Sequence, residues 1–339
     1  MAIDKLNIAV VGLGFMGATH LKAWQQVPNA RIHAVIDTDP VKLSGDLSSV
    51  GGNLGDAGQP WDFAGIRGYR LLEEALADPA VDALDICLPT HEHAPAATAA
   101  LRAGKHVLTE KPMALDAAAA RLLAQEAKQS GRILMAAHVL RFFPAYQQLA
   151  LTVKKSSPVR SAVFRRRCAA PHWSPWLTDP ARSGGGIMDL LIHDADFCVS
   201  LWGMPHSVHA RGHRDLRRGI DVVHADLVYP GLGPVIVTGG WHHPKSFPFS
   251  MEFTVVADAG TVEWSNGAND FREYSENGEA RSIPLPQTDA FVAELSYFAQ
   301  CAANGRQPDL CPPDQSTMAI ALISKITESR EMNGEVILC

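Results

Sequence analysis

A chain of 339 residues exceeds one ordinary compact core and suits two domains. With 47% hydrophobic and 19% charged residues and a net charge of −6, it carries enough apolar surface to offset chain entropy, which excludes wholesale disorder. The basic residues are scattered except for Arg165-Arg166-Arg167 inside an apolar run, and no apolar run reaches the length of a membrane span, so neither a nucleic acid nor a membrane is expected as a partner.

From Leu6 to about Ala137, short apolar runs alternate with longer amphipathic stretches, the pattern of βαβ units around a parallel sheet. Strands are predicted at 6–11, 31–36, 82–88, 106–109 and 132–137, and helices at 17–27, 40–48, 70–77, 93–103 and 116–130, the last opening at Asp116 as its N-cap. The glycine-rich segment 51–68, with Pro60 and Trp61, shows no period and reads as a long loop. This half, 1–137, is expected to be a doubly wound dinucleotide-binding domain.

Beyond Pro144 the pattern changes. A helix near 144–155 precedes alternating runs at 159–168, 221–229, 233–241, 249–257 and 260–264, with turns at Pro230-Gly231 and Ala259-Gly260, which predicts a large, mostly antiparallel open sheet. One helix interrupts them at about 186–201, and the tail has helices near 290–303 and 314–331 whose return path allows packing on either domain. The second domain is therefore read as α+β over 138–339. Six cysteines (Cys87, Cys168, Cys198, Cys301, Cys311, Cys339) lie far apart with no C-x-x-C pair, as suits a reducing compartment. The first apolar stretch is too short for a secretory signal and runs straight into a glycine motif, so a cytoplasmic protein is expected.

That motif is Gly12-Leu13-Gly14-Phe15-Met16-Gly17, placed between the first strand and the first helix. In such a fingerprint the first glycine permits the tight turn, the second lets backbone approach a pyrophosphate and the third brings helix against strand. Asp37 follows 20 residues after Gly17 at the end of the second strand, where a carboxylate accepts from both ribose hydroxyls and repels the 2′-phosphate of NADP. NAD is thus the expected cofactor over NADP, although Arg31 and Lys42 stand nearby in sequence.

Two further motifs complete the pattern. One is Glu110-Lys111-Pro112 after a short strand; the other is the glycine run Gly184-Gly185-Gly186 leading into a helix with Asp189, His193 and Asp196, spaced to face one way. Alone, Lys111 reads as a solvated or ion-paired side chain, and Asp189 with His193 reads as a helix-stabilising pair or as metal ligands. Together with the fingerprint, these segments resemble the Gfo/Idh/MocA family, named for glucose-fructose oxidoreductase, inositol dehydrogenase and a rhizopine-catabolism protein, and the resemblance spans essentially the whole chain.

The resemblance implies hydride transfer between the nicotinamide and a secondary alcohol of a sugar, inositol or related polyol, with no metal. It implies His193 as general base, Asp189 as its orienter or a substrate contact, and Lys111 as a cationic donor at the reacting oxygen, or as the base itself if burial lowers its pKa. Cofactor contacts carried over from the pattern are Phe15, Met16, Leu88, Pro89, Thr90, His93, Glu110, Lys111, His138 and Arg141, the last with a structural ion pair as its alternative. Substrate candidates, besides Lys111, Asp189 and His193, are His172, Trp173, Arg182 and His242, while Trp173 and Trp241 also suit plain packing. A homodimer or homotetramer through the second-domain sheet, within 159–264, is implied as well. Two rivals stand beside this reading: a dinucleotide-binding regulator without turnover, and a NAD-using glycosidase.

Overall fold

The computed structural model describes residues 5–52, 58–155 and 158–339, and divides into two units, Met1–Val139 with Asp289–Thr317 and Leu140–Thr288 with Met318–Cys339. In the first unit the chain runs β1 (Leu6–Val11), α1 (Phe15–Trp24), β2 (Ala30–Ile36), α2 (Pro40–Leu43), β3 (Arg67–Tyr69), α3 (Leu72–Ala77), β4 (Ala83–Ile86), α4 (Thr90–Arg102), β5 (His106–Glu110), α5 (Ala117–Ser130) and β6 (Leu134–Ala137). The six strands form one parallel sheet in the order β3-β2-β1-β4-β5-β6. Strands β4 and β6 are buried at every position, as expected of a sheet covered on both faces. Strand order reverses at β1, which lies between β2 and β4, and the crevice beyond the carboxyl ends there is where such sheets bind ligands.

Local chemistry sets the boundaries. Asp116 caps α5 by accepting from the amides of Ala118 and Ala119, and Gly131, at φ +65°, ends it. Lys105 is buried, its ammonium donating to the carbonyls of Asp78 and Val81, each at 2.8 Å. The helix expected over 40–48 stops at Leu43, because Gly45 turns the chain at φ +95°. Of the predicted 51–68 loop, Asn53–Ala57 lie outside the described residues, while its end belongs to β3, an edge strand too short and too exposed to show alternation.

The second unit begins with α6 (Pro144–Lys155) and continues through β7 (Val159–Cys168), α7 (Pro180–Ser183), a π-helical turn at Ile187–Leu191 and α8 (Ile192–Trp202). Then come β8 (Ser207–Asp215), β9 (Ile220–Val228), β10 (Val235–Trp241), β11 (Ser250–Ala257), β12 (Gly260–Ser265), β13 (Phe271–Ser275) and β14 (Ala280–Ile283). Helices α9 (Ala290–Asn304) and α10 (Pro313–Glu331) and the short β15 (Ile337–Leu338) follow. The nine strands pair in the order β14-β13-β12-β11-β7-β10-β9-β8-β15, antiparallel except for β7 with β10. Along β9 and β11 alternate residues are buried, and rings fill that face: Tyr146 of α6 lies 4.9 Å from Phe197 of α8 and 5.2 Å from Phe253 of β11.

Helix α9 belongs to the first unit, where Phe298 meets Trp24 of α1 edge-on at 6.5 Å; the boundary between units falls within α10. The strands β8, β13, β14 and β15 were not anticipated. Strand β8 alternates only at its first residues and is mostly exposed beyond them, which hides its period.

Candidate active site

In the first unit the glycine loop is built from three different steric demands. Gly12 sits at φ +91°, and a Cβ there would lie 2.8 Å from the Cys87 carbonyl oxygen; a Cβ on Gly17 would collide with the Gly12 carbonyl. A Cβ on Gly14 would have nothing within 4 Å. Gly14 is also the N-cap of α1 and makes no side-chain cap hydrogen bond, the form of helix start at which a diphosphate binds in this class of loop. At the end of β2, Asp37 accepts from the amides of Leu13 (2.8 Å) and Asp39 (2.9 Å), which fixes its carboxylate beside the loop, and the Lys42 ammonium stands 3.6 Å from it. Phe15 lies against Gly52, where a Cβ would overlap the ring.

Next along the same sheet edge, Leu88, Pro89 and Thr90 leave β4, with Pro89 capping α4 and Thr90 buried. His93 on α4 is buried and ties two loops together, Nε2 at 2.7 Å from the Leu88 carbonyl and Nδ1 at 2.8 Å from the Pro112 carbonyl. Burial pushes its pKa down, and the two carbonyl bonds push back. Glu110 ends β5 and accepts the amide hydrogen of Lys111 at 3.0 Å, and the Lys111–Pro112 peptide is cis.

Behind Glu110 lies a charge chain that the sequence reading missed. His20 of α1 is wholly buried, with Nε2 3.2 Å from Glu110 and Nδ1 2.9 Å from Asp85 of β4. Trp24 donates its indole hydrogen to the same Asp85 carboxylate at 2.7 Å. Burial alone would lower the His20 pKa, yet Asp85 and Cys87 hold it well above the ordinary histidine value. Burial would likewise raise Glu110, but the adjacent His20 ring, and then the Lys111 charge, bring it below the ordinary carboxylate value. The available signal was Asp85 itself: a carboxylate in the middle of a buried Ala-Leu-Asp-Ile strand requires a partner. His138, beyond β6, engages Ser316 at 2.9 Å, both buried.

In the second unit the glycine run brings the catalytic candidates to the surface. Gly185 has φ +86°, and a Cβ on it would lie 2.7 Å from Asp221, which accepts the Ile187 amide hydrogen at 3.3 Å and is paired with Arg330. A Cβ on Gly186 would lie 2.7 Å from the Trp241 ring. Pressed in this way, the π turn and α8 are buried from Gly185 to Val199 except at Asp189 and His193, which are half-exposed. Asp189 lies near Cys168, whose thiol is pushed up to about 12 by burial first and by that carboxylate second.

Asp196 does not share their face, which corrects the expected three-residue strip. It is buried in a two-pronged pair with Arg141, whose guanidinium nitrogens lie at 2.6 and 2.8 Å, the ion pair named as an alternative for that residue. Asp194 forms the matching buried pair with Arg166 at 2.8 and 3.0 Å. His172 is exposed and Trp173 half-buried, their rings edge-on at 5.4 Å, and Arg182 sits half-buried in α7 just before the glycine run. His242 is exposed, and its amide and that of His243 both point to the Cys168 carbonyl, which ties the chain beyond β10 to the end of β7. Trp241 is core packing beneath Gly186.

The sheet order, the glycine loop and the carboxylate at the end of β2 define a dinucleotide-binding Rossmann fold. Residues 6–138 match the oxidoreductase-family NAD-binding Rossmann model, and residues 158–263 match the GFO/IDH/MocA C-terminal domain. The chain belongs to the Gfo/Idh/MocA family. An uncharacterized oxidoreductase of Synechocystis is 31% identical over 320 residues, 89% of this chain and 82% of that one. Myo-inositol 2-dehydrogenase of Thermotoga maritima is 28% identical over 58% of this chain and 55% of its own. A solved structure of levoglucosan dehydrogenase with NADH and levoglucosan shares the fold at TM-score 0.85 and 18% identity, covering 98% of this chain and 99% of that one. The matches span 65%, 39% and 55% of the length of three of the curated relatives. No helix among the described residues is long and apolar enough to cross a membrane.

Proposed function

We propose that the protein transfers a hydride between NAD and a secondary alcohol of a sugar, inositol or related polyol. The observation that carries this reading is Lys111, half-exposed directly after Glu110 at the carboxyl end of β5, two strands from β1, which leads into the loop of Gly12 and Gly14. Bound along that loop, the nicotinamide dinucleotide would supply the hydride acceptor or donor. Phe15, Met16, Gly17, Leu88, Pro89, Thr90 and His93 would form its bed, with Asp37 at the adenosine ribose and Glu110 at the nicotinamide ribose. Lys111 donates a hydrogen bond to the reacting oxygen and stabilises it as its charge develops. His193, oriented by Asp189, takes the hydroxyl proton. His172, Trp173, Arg182 and His242 are assigned to the remaining hydroxyls and the apolar ring face of the polyol. The name of the Thermotoga maritima relative supports a cyclic polyol as substrate class.

The test is NAD reduction against a panel of inositols, aldoses and nucleotide sugars, followed by Lys111→Ala on the best substrate. Turnover should fall ~100-fold while NAD affinity holds, the scale of a working acid/base group; near-normal turnover in the variant would reject the assignment. Asp37 favours NAD, and Lys42 at 3.6 Å tempers that preference without removing it. Competitive titration should therefore show NAD bound more tightly than NADP. We also assign self-association, as a dimer or tetramer, to the sheet of 159–264; a monomer in sedimentation at micromolar concentration would refute it.

A further inference from the structure

We propose that His20 is a positioning residue for Lys111: a permanent imidazolium between Asp85 and Glu110 that keeps the Glu110 carboxylate ionised and aimed at the Lys111 amide. The proposal rests on the reading of Lys111 as the group at the reacting oxygen. Four charges of alternating sign follow one another from the core outward, Asp85, His20, Glu110 and Lys111, joined by the 2.9 Å contact from His20 to Asp85, the 3.2 Å contact from His20 to Glu110 and the 3.0 Å bond from the Lys111 amide to Glu110.

Buried carboxylates cannot stay ionised without compensation. Asp85 is fully buried and Glu110 nearly so, and one cation stands between them. With the imidazolium in place the chain is neutral as a whole, and Glu110 has both oxygens engaged, one by His20 and one by the Lys111 backbone. Were His20 neutral with its hydrogen on Nδ1, the Nε2 lone pair would face the Glu110 carboxylate, and the glutamate would swing away or take up a proton. Either change releases the Lys111 amide. Among the described residues, the groups facing His20 are Asp85 of β4, Cys87 just beyond it, Glu110 of β5, Trp24 from its own helix, and from α9 the Phe291 ring at 6.1 Å, with Glu294 buried one turn further along that helix.

His20, Asp85 and Cys87 also have donor atoms within 4.8 Å of one another, a spacing that could hold a metal ion. The Trp24 indole and the His20 Nδ1 hydrogen already occupy the Asp85 oxygens, so the cluster is closed by hydrogen bonds instead.

Two measurements on the full chain test the proposal. The first is the charge state of His20 by ring-nitrogen NMR in the native protein, which does not depend on turnover. An imidazolium persisting at pH 8 is expected, and a neutral ring at pH 7 overturns the proposal even if Lys111→Ala behaves as expected. The second is the pH profile of kcat for Asp85→Asn, which keeps the acceptor for Trp24 but removes a charge. His20 then holds its proton less tightly, so kcat should fall as pH rises, in a limb at least one pH unit below that of the wild type, with KM little changed. His20→Gln, which can bond Glu110 without charge, should lose on the order of tenfold in kcat at every pH, the scale on which supporting partners of working groups act. Profiles of Asp85→Asn that superimpose on the wild type after scaling, with only Tm lowered, mean that the chain is merely structural. If Lys111→Ala keeps its turnover while His20 remains an imidazolium, the functional reading fails and the charge chain does not.

Discussion

Two glycine clusters open helices in this chain, and Gly14 of the first is glycine for the opposite reason to Gly185 and Gly186 of the second. At Gly14 a side chain would meet nothing within 4 Å, so the missing Cβ leaves room for something that is not protein. At Gly185 and Gly186 a side chain would strike Asp221 and Trp241, so the missing Cβ lets the protein close on itself. Gly14 makes an opening; Gly185 and Gly186 make a tight seat, and the seat turns Asp189 and His193 outward from a helix otherwise buried from Gly185 to Val199. A glycine-rich helix start therefore has no single meaning, and the atoms facing the absent Cβ decide between ligand and packing.

The comparison can be sharpened at three scales. The largest effect is expected where the seat presents its chemistry: His193→Ala should lower kcat ~100- to 1,000-fold, the usual loss for a general base, with NAD affinity unchanged in fluorescence titration. A tenfold change in NAD affinity would mean that the second cluster also serves the cofactor. Next come the glycines themselves. Gly186→Ala should cost ~1–3 kcal/mol of unfolding free energy by overpacking against Trp241, whereas Gly14→Ala should stay within ~0.5 kcal/mol of wild type yet weaken NAD binding about tenfold, roughly 1.4 kcal/mol. Equal losses in denaturant melts would erase the distinction.

The smallest effect concerns the opposite end of the strand that carries Glu110. Burial first, and Arg132 second, push His106 down to about 4 from 6.5, and its Nδ1 accepts the Ile133 amide hydrogen at 3.1 Å, which a protonated ring cannot do. Because the folded form binds its proton less readily, this stability is fully present above pH 6.5 and is lost as pH falls toward 4. The loss should be on the order of 1–2 kcal/mol, discounted for the ring's partial exposure. In His106→Gln, unfolding free energy should be flatter over that window; an unchanged slope would show that other groups set it.

How much was legible in the sequence follows from burial. The parallel strands β1, β2, β4, β5 and β6 and the loop of Gly12 and Gly14 were readable because continuous apolar runs and fixed glycine spacing are local signals. Strands β3, β8, β13 and β14 were not, because edge or exposed strands lose the alternation that marks a half-buried one. The Asp189 and His193 face was anticipated from spacing, but Asp196 was wrongly added to it, since spacing does not reveal that Arg141 waits inside. His20 went unread for a similar reason: its partners Asp85 and Glu110 lie 65 and 90 residues away along the chain and meet it only through the strand order.

Lys105, held by two carbonyls at the foot of the strand that ends in Glu110, has a practical consequence for chemical footprinting. An amine-directed reagent cannot reach it while the first unit is folded, whereas Lys111, six residues on, is half-exposed. One tryptic map then carries its own control. Modification at 111 that NAD suppresses, with 105 untouched, reports occupancy; modification at both reports unfolding.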